Sequence, residues 1–335
     1  VSLSPGAHLA GVWVDGMGLS DANHRVALVR TAGSATDVPA TAWDDRTTVV
    51  ASRMSEPPRD GAGIRLEGAS TGTTCVGEQV LGNLVTGYSS QHQFDQRGQA
   101  EWVDGIVVSC EDATVVGNGV VDVTDLGIVV QGSIDRAEVV TRQRSDIRAN
   151  TVLSAGLDAH VALGADAIGT CQPIRVNDAS GAAKPAAPVP CLDLNPPRDF
   201  TGARIRDNRF LTGSRTSFDV GIMVGGGAMW GDHRVTNRAP DTSHPDARGI
   251  EVTGNSTGPM AARVNIGIDV HDMTHATVTE NSAAFRLVDG NPRVTWSTCP
   301  ESALIGGEEE VASLTTHAGF TVDDMAAWYD FWDKL

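Results

Sequence analysis

Between Asp104 and Asn150 two kinds of short apolar run alternate along the chain. One is Gly-Ile-Val-Val, at Gly105–Val108 and again at Gly127–Val130. The other alternates apolar and polar residues and ends in Asn, at residues 113–118 and 146–150. Gly, Asp or Asn bounds each run, which is the pattern of short strands separated by turns. The same pair recurs outside this stretch. Gly63-Ile-Arg-Leu, Gly221-Ile-Met-Val and Gly267-Ile-Asp-Val repeat the first type, with Asp158-Ala-His-Val as a weaker copy. Residues 203–208, 250–255 and 276–281 repeat the second, with 73–78 as a variant that ends in Glu78. The two Gly-Ile runs of the central stretch are 22 residues apart, a period that predicts a solenoid.

In such a stack, equivalent residues lie one strand spacing apart, roughly 4.8 Å. Asn118, Asn150, Asn208, Asn255 and Asn281 fall at one position of successive coils, where inward amides can bond their neighbours above and below, as Asn ladders do. On these runs, from Gly63 to Asn281, the chain resembles the right-handed parallel β-helix proteins of the pectate-lyase-like superfamily. The resemblance implies an all-β, single-domain right-handed parallel β-helix. Residues 1–60 are expected to supply irregular first coils, 61–300 the core with its inserted loops, and 301–335 a C-terminal cap. The cap includes a helix in TVDDMAAWYDFWDKL, with Thr321 as N-cap and Met325, Trp328 and Trp332 on its apolar face.

The distances between runs locate the insertions. Gly105 to Asn118 and Gly267 to Asn281 are short steps, whereas Gly127 to Asn150, Asp158 to Asn208 and Gly221 to Asn255 are long ones. Three successive coils therefore carry their loops (133–145, 166–202 and 226–248) at one corner, with 85–103 at the opposite corner. Long loops on a rigid scaffold are where sites form, so the Gly-Ile sheet is expected to be the floor of a groove suited to an extended chain such as a polysaccharide. Strand alternation puts Arg65, Glu67, Val107, Ser109, Val129, Gln131, His160, Met223, Asp269 and His271 on that floor. Asp104, Asp125, Asp158 and Asp219 precede the strands and are expected to stack along its edge. Adjacent and alternate coils hold such carboxylates roughly 5 and 10 Å apart, near the separations of retaining and inverting glycosidases, roughly 5–5.5 and 6.5–9.5 Å. Crowding raises one carboxyl pKa and supplies a general acid, and His160 is placed to share proton transfer. Asp before Gly is also ordinary turn chemistry. Trp102, Trp230 and His233 in the walls, with Gln131, Arg65, Asp269 and His271, are candidate substrate contacts.

Composition narrows the classes. The net charge is −17 and only Lys184 and Lys334 are lysines, so no basic stripe exists for nucleic acid. No long apolar run predicts a membrane span. Five cysteines lack zinc spacing. Cys171 and Cys191 bracket a Pro/Ala-rich loop, Cys75 and Cys110 sit in consecutive coils, and disulfides at these places would accompany export. No cofactor or metal is expected for hydrolysis, and calcium only if the chemistry is that of a lyase. The expectation is thus a secreted, bacterial, carbohydrate-active enzyme that hydrolyses or transfers glycosidic bonds with paired Asp residues. A uronate lyase using Arg65, Arg97 or Arg234 is the alternative within enzymes. A non-catalytic glycan-binding or structural β-helix is the alternative outside them, and association into homo-oligomers is compatible with both.

Overall fold

The structure is a computed structural model that describes residues 1–3, 6–16, 27–32, 47–55, 57, 61–67, 76–87, 103–131, 143–166, 175–177, 183–185, 198–224, 247–257, 262–271, 273–281, 285–287, 296–297 and 304–305. Among them there is no helix. Apart from an antiparallel pair, Arg175–Asn177 with Ala183–Pro185, the strands make three parallel sheets, which the chain visits in rotation. Sheet A contains Ser2–Leu3, Ala27–Ala32, Gly61–Glu67, Val103–Val108, Leu126–Gln131, Ala159–Asp166, Phe218–Val224, Ala262–His271 and Phe285–Leu287. Sheet B contains His8–Ala10, Thr48–Val50, Gln79–Leu81, Thr114–Val116, Asp146–Arg148, Arg204–Arg206, Ala247–Thr253 and Met273–Thr279, with Leu304–Ile305 at its end. Sheet C contains Trp13–Asp15, Arg53–Ser55, Leu84–Thr86, Gly119–Val121, Thr151–Ser154 and Arg209–Thr212. This all-β arrangement is compatible with a parallel β-helix. The first two rounds, within residues 1–55, already follow the A-B-C order and are more regular than their sequence predicts. The C-terminal segment expected to form a capping helix lies outside the described residues.

The core is built from columns of like residues. Ile64, Ile106, Ile128, Leu163 and Ile222 stack in sheet A, Val80, Val115, Ile147 and Ile205 in sheet B, and Met54, Val85, Val120 and Val152 in sheet C, none more than 1% exposed. The glycines before Ile64, Ile106 and Ile128 let the coil close. A Cβ on Gly105 would stand 2.5 Å from a Val120 methyl and 2.3 Å from the Gly127 carbonyl oxygen. The repeated Gly-Ile pair is therefore a packing requirement of a narrow interior.

The corner between sheets B and C is a one-residue bend followed by Asn. The bend residue has positive φ in successive rounds: Gly82 (62°), Gly117 (68°), Ala149 (53°), Asp207 (56°), Gly254 (65°) and Glu280 (56°). A non-glycine residue in this region costs roughly 1–2 kcal/mol. Ala149 is exposed, so Ala149→Gly should raise stability by about 1 kcal/mol, read as a higher urea midpoint with an unchanged slope.

The following Asn residues form the expected ladder and extend it by one. Asn83, Asn118, Asn150, Asn208, Asn255 and Asn281 are at most 2% exposed. Each Nδ2 from Asn83 to Asn255 donates to the Oδ1 of the next Asn at 2.9–3.0 Å. Each also donates to a carbonyl of the round before, for example Asn150 Nδ2 to Val115 O at 3.0 Å. The expectation that Glu78 holds this position in its round is corrected: Asn83 does, following Gly82 as Asn118 follows Gly117. Glu78 instead starts the sheet B segment, buried, with its Oε2 accepting from Thr47 N at 3.0 Å.

Candidate functional site

Register decides which predicted residues meet. In sheet A, Ile128 pairs with Leu163 and Leu163 with Ile222. The round after Gly127-Ile128 is therefore Ala162-Leu163, not Asp158-Ala159, and the copy that begins at Asp158 is four residues out of step. Ala162 stands where the other rounds have Gly, which erased the signal.

This shift rearranges the acidic edge. Leu126 pairs with Val161 and Val161 with Val220, so Asp125, His160 and Asp219 occupy one register position in three successive strands, with Asn265 next. The backbone ties them directly, since His160 N donates to Asp125 O at 3.1 Å. Asp125 is buried, at 9% exposure, and His160 is half-buried. His160 was expected on the floor beside Val129; it lies instead between the two aspartate positions, each roughly one strand spacing away.

Asp158 and Asp104 leave the column. Asp158 is exposed in the turn before its strand, and its Oδ1 accepts from Ser217 N at 2.7 Å and Ser217 Oγ at 3.1 Å. It fastens one corner to the next, which is turn chemistry. Asp122 does the same one round earlier, its Oδ1 accepting from Ala155 N and Gly156 N at 2.6 and 2.8 Å. Asp104 lies one residue further along the sheet, opposite Leu126, with Oδ2 3.4 Å from Arg65 Nη2. Both side chains of that pair are largely buried, and the Arg65 Nε makes no hydrogen bond.

The floor also differs from the expectation. Arg65, Val107, Val129, Met223 and Asp269 do share one outer column, with Gly164 between Val129 and Met223. Yet Val107, Val129 and Met223 are fully buried and join Ala62, Leu126, Val161 and Val220 in a second apolar cluster. An open polar floor is therefore not what this sheet presents. The signal was available: Gly-Ile-Val-Val is a continuous apolar run, the mark of a strand buried on both faces.

The remaining candidates are placed by backbone alone or not at all. Gln131 pairs with Asp166, Asp269 with Met223 and His271 with Ser297. Trp102, Trp230 and His233 lie outside the described residues, as do Cys75, Cys171, Cys191 and Cys299. Among the described residues, no group of three His, Cys, Asp or Glu is placed to hold a metal ion, and no helix is long and apolar enough to cross a membrane. No protein-family model, curated protein or solved structure matches the chain.

Proposed function

We propose that this chain is an exported carbohydrate-active enzyme that cleaves or transfers glycosidic bonds, with Asp125 and Asp219 as its carboxylate pair and His160 between them. On this reading the fold is a right-handed parallel β-helix of the pectate-lyase-like kind, capped by a helix in residues 321–335 and braced by a Cys75–Cys110 disulfide. The observation that supports the chemistry is the shared register position of the three residues. Alternate strands separate the two aspartates by roughly 10 Å along the stack, close to the wider spacing that leaves room for a water between carboxylates.

In the hydrolytic step, water oxygen attacks the anomeric carbon while one carboxylate takes its proton. The glycosidic C–O bond breaks, and its oxygen takes a proton from the other carboxyl group. Two carboxyls sharing one proton begin and end the cycle, and net water is consumed. The imidazole of His160 orients the water or relays the returning proton. Of the arginines that a lyase reading would use for a uronate, Arg65 is largely buried against Asp104, and Arg97 and Arg234 lie outside the described residues.

The test is turnover of neutral and acidic glycans by purified protein, with product anomer followed by NMR. Asp125→Asn and Asp219→Asn should each lower kcat by about 100-fold at an unchanged melting temperature, and the products should be inverted. Unsaturated products would establish elimination and reject the proposal. Unimpaired turnover in both variants would reject the residue assignment.

A further inference from the structure

The N-terminal end of sheet C carries an aromatic residue that folding does not hide. Trp13 is 64% exposed, although its neighbour Val14 packs against the core. The indole is nevertheless held in one orientation. Its Nε1 donates to Ser55 Oγ at 2.7 Å, and the Arg53 guanidinium carbon lies over the ring, 5.1 Å from its centroid. Both contacts come from the next strand, where Trp13 pairs with Arg53 and Asp15 with Ser55.

Arg53 is itself exposed, and among the described residues no carboxylate lies within ion-pair distance of it. Arg65, Arg144, Arg148, Arg204 and Arg206, by contrast, each lie beside a carboxylate. Beyond Arg53 the same outer column continues with Leu84, 39% exposed. The parallel column holds Asp15, Ser55 and Thr86. The result is a strip in which an oriented aromatic face, a cation with no carboxylate partner among the described residues and an aliphatic side chain follow one another, with the exposed Asp15 carboxylate and the Ser55 and Thr86 hydroxyls in the column beside them.

We infer that Trp13 and Arg53 form a binding site for an acidic saccharide, separate from the Asp125–His160–Asp219 column. The C–H face of a pyranose ring stacks on the indole face that Arg53 leaves open, and the carboxylate of a neighbouring sugar unit of the same polymer neutralises Arg53. A tryptophan already fixed by a hydrogen bond and a cation–π contact loses little freedom when a ring is laid on it. The Arg53 guanidinium, with no carboxylate partner among the described residues, selects an anionic sugar over a neutral one. The site does not require the chemistry proposed above; it requires only that the chain meets carboxylated polysaccharide.

The test is affinity electrophoresis of the whole chain in gels containing polygalacturonate, alginate or hyaluronan, with neutral β-glucan and arabinoxylan as controls. At least one acidic polymer should retard the protein in a salt-sensitive way. Trp13→Ala and Arg53→Gln should each weaken that retardation tenfold or more, with circular dichroism and melting unchanged. Ser55→Ala, which frees the indole but keeps it, should weaken it by less. Asp125→Asn should bind as the parent does, so loss of turnover with binding intact leaves this site standing. Binding that ignores Trp13 and Arg53, equal retardation by neutral polymers, or no retardation by any polymer would overturn the inference. So would a change of solution mass in Trp13→Ala, which would make the strip a contact between copies of the chain.

Discussion

Replacing Asn150 by Ala should lower stability by roughly 4 kcal/mol, combining buried hydrogen-bonding groups left unpaired with a small cavity. Asn150 stands mid-ladder, wholly buried. Its Oδ1 accepts from both the backbone N and the Nδ2 of Asn118, each at 2.9 Å. Its Nδ2 donates to Val115 O and to Asn208 Oδ1. Truncation removes every one of these, and the Asn118 backbone N–H keeps no acceptor in a place water does not reach. Against a whole-domain stability of about 5–15 kcal/mol, the loss is large enough to show in expression as well as in urea denaturation. A change below about 1 kcal/mol would mean that the ladder relaxes around the gap.

Asn150→Asp separates hydrogen bonding from packing. The carboxylate still accepts from Asn118, but its second oxygen faces Val115 O and Asn208 Oδ1, both acceptors. Burial and this clash raise the pKa of the introduced acid, so the folded state holds its proton more tightly than the unfolded chain. The variant should therefore regain stability as pH falls and lose it as pH rises. A loss independent of pH would assign the effect to packing instead.

The ladder was legible because its chemistry forces a residue type at a fixed place in each round. Only an amide supplies one acceptor oxygen to the round before and two donors to its neighbours. Asn83 escaped because the alternating run ending at Glu78 competed with it, although the Gly-Asn pair found at 117–118 and 254–255 was present at 82–83. The Gly-Ile column was legible for a steric reason, and it failed where Ala162 replaced Gly, taking the predicted place of His160 with it. The outer face of sheet A was misjudged by applying alternation to runs whose lack of alternation was the information. At the acidic edge, residue type alone does not separate Asp158, which ties a corner to Ser217, from Asp125, which shares its register position with His160 and Asp219. Only the register separates them.

Glu78 makes stability depend on pH in a direction opposite to most carboxylates. Burial raises its pKa from 4.5 to about 7, although hydrogen bonds from the Thr47 backbone and hydroxyl favour the charged form. The folded state thus holds a proton that the unfolded chain releases near pH 4.5. Between those values folding takes up a proton, so the contribution of Glu78 is fully present below pH 4.5 and is lost as pH rises through about 7. The loss amounts to roughly 3 kcal/mol at most. Glu78→Gln keeps an acceptor for Thr47 N–H and cannot ionise. It should match the parent at pH 4.5 and exceed it by roughly 2–3 kcal/mol at pH 8, as read from urea midpoints of both proteins across the range. The difference between the two isolates this group from every other titration in the chain. Parallel curves would show that the carboxyl reaches solvent when it ionises, and a variant weaker at pH 8 would show that the charged form is held by more than Thr47.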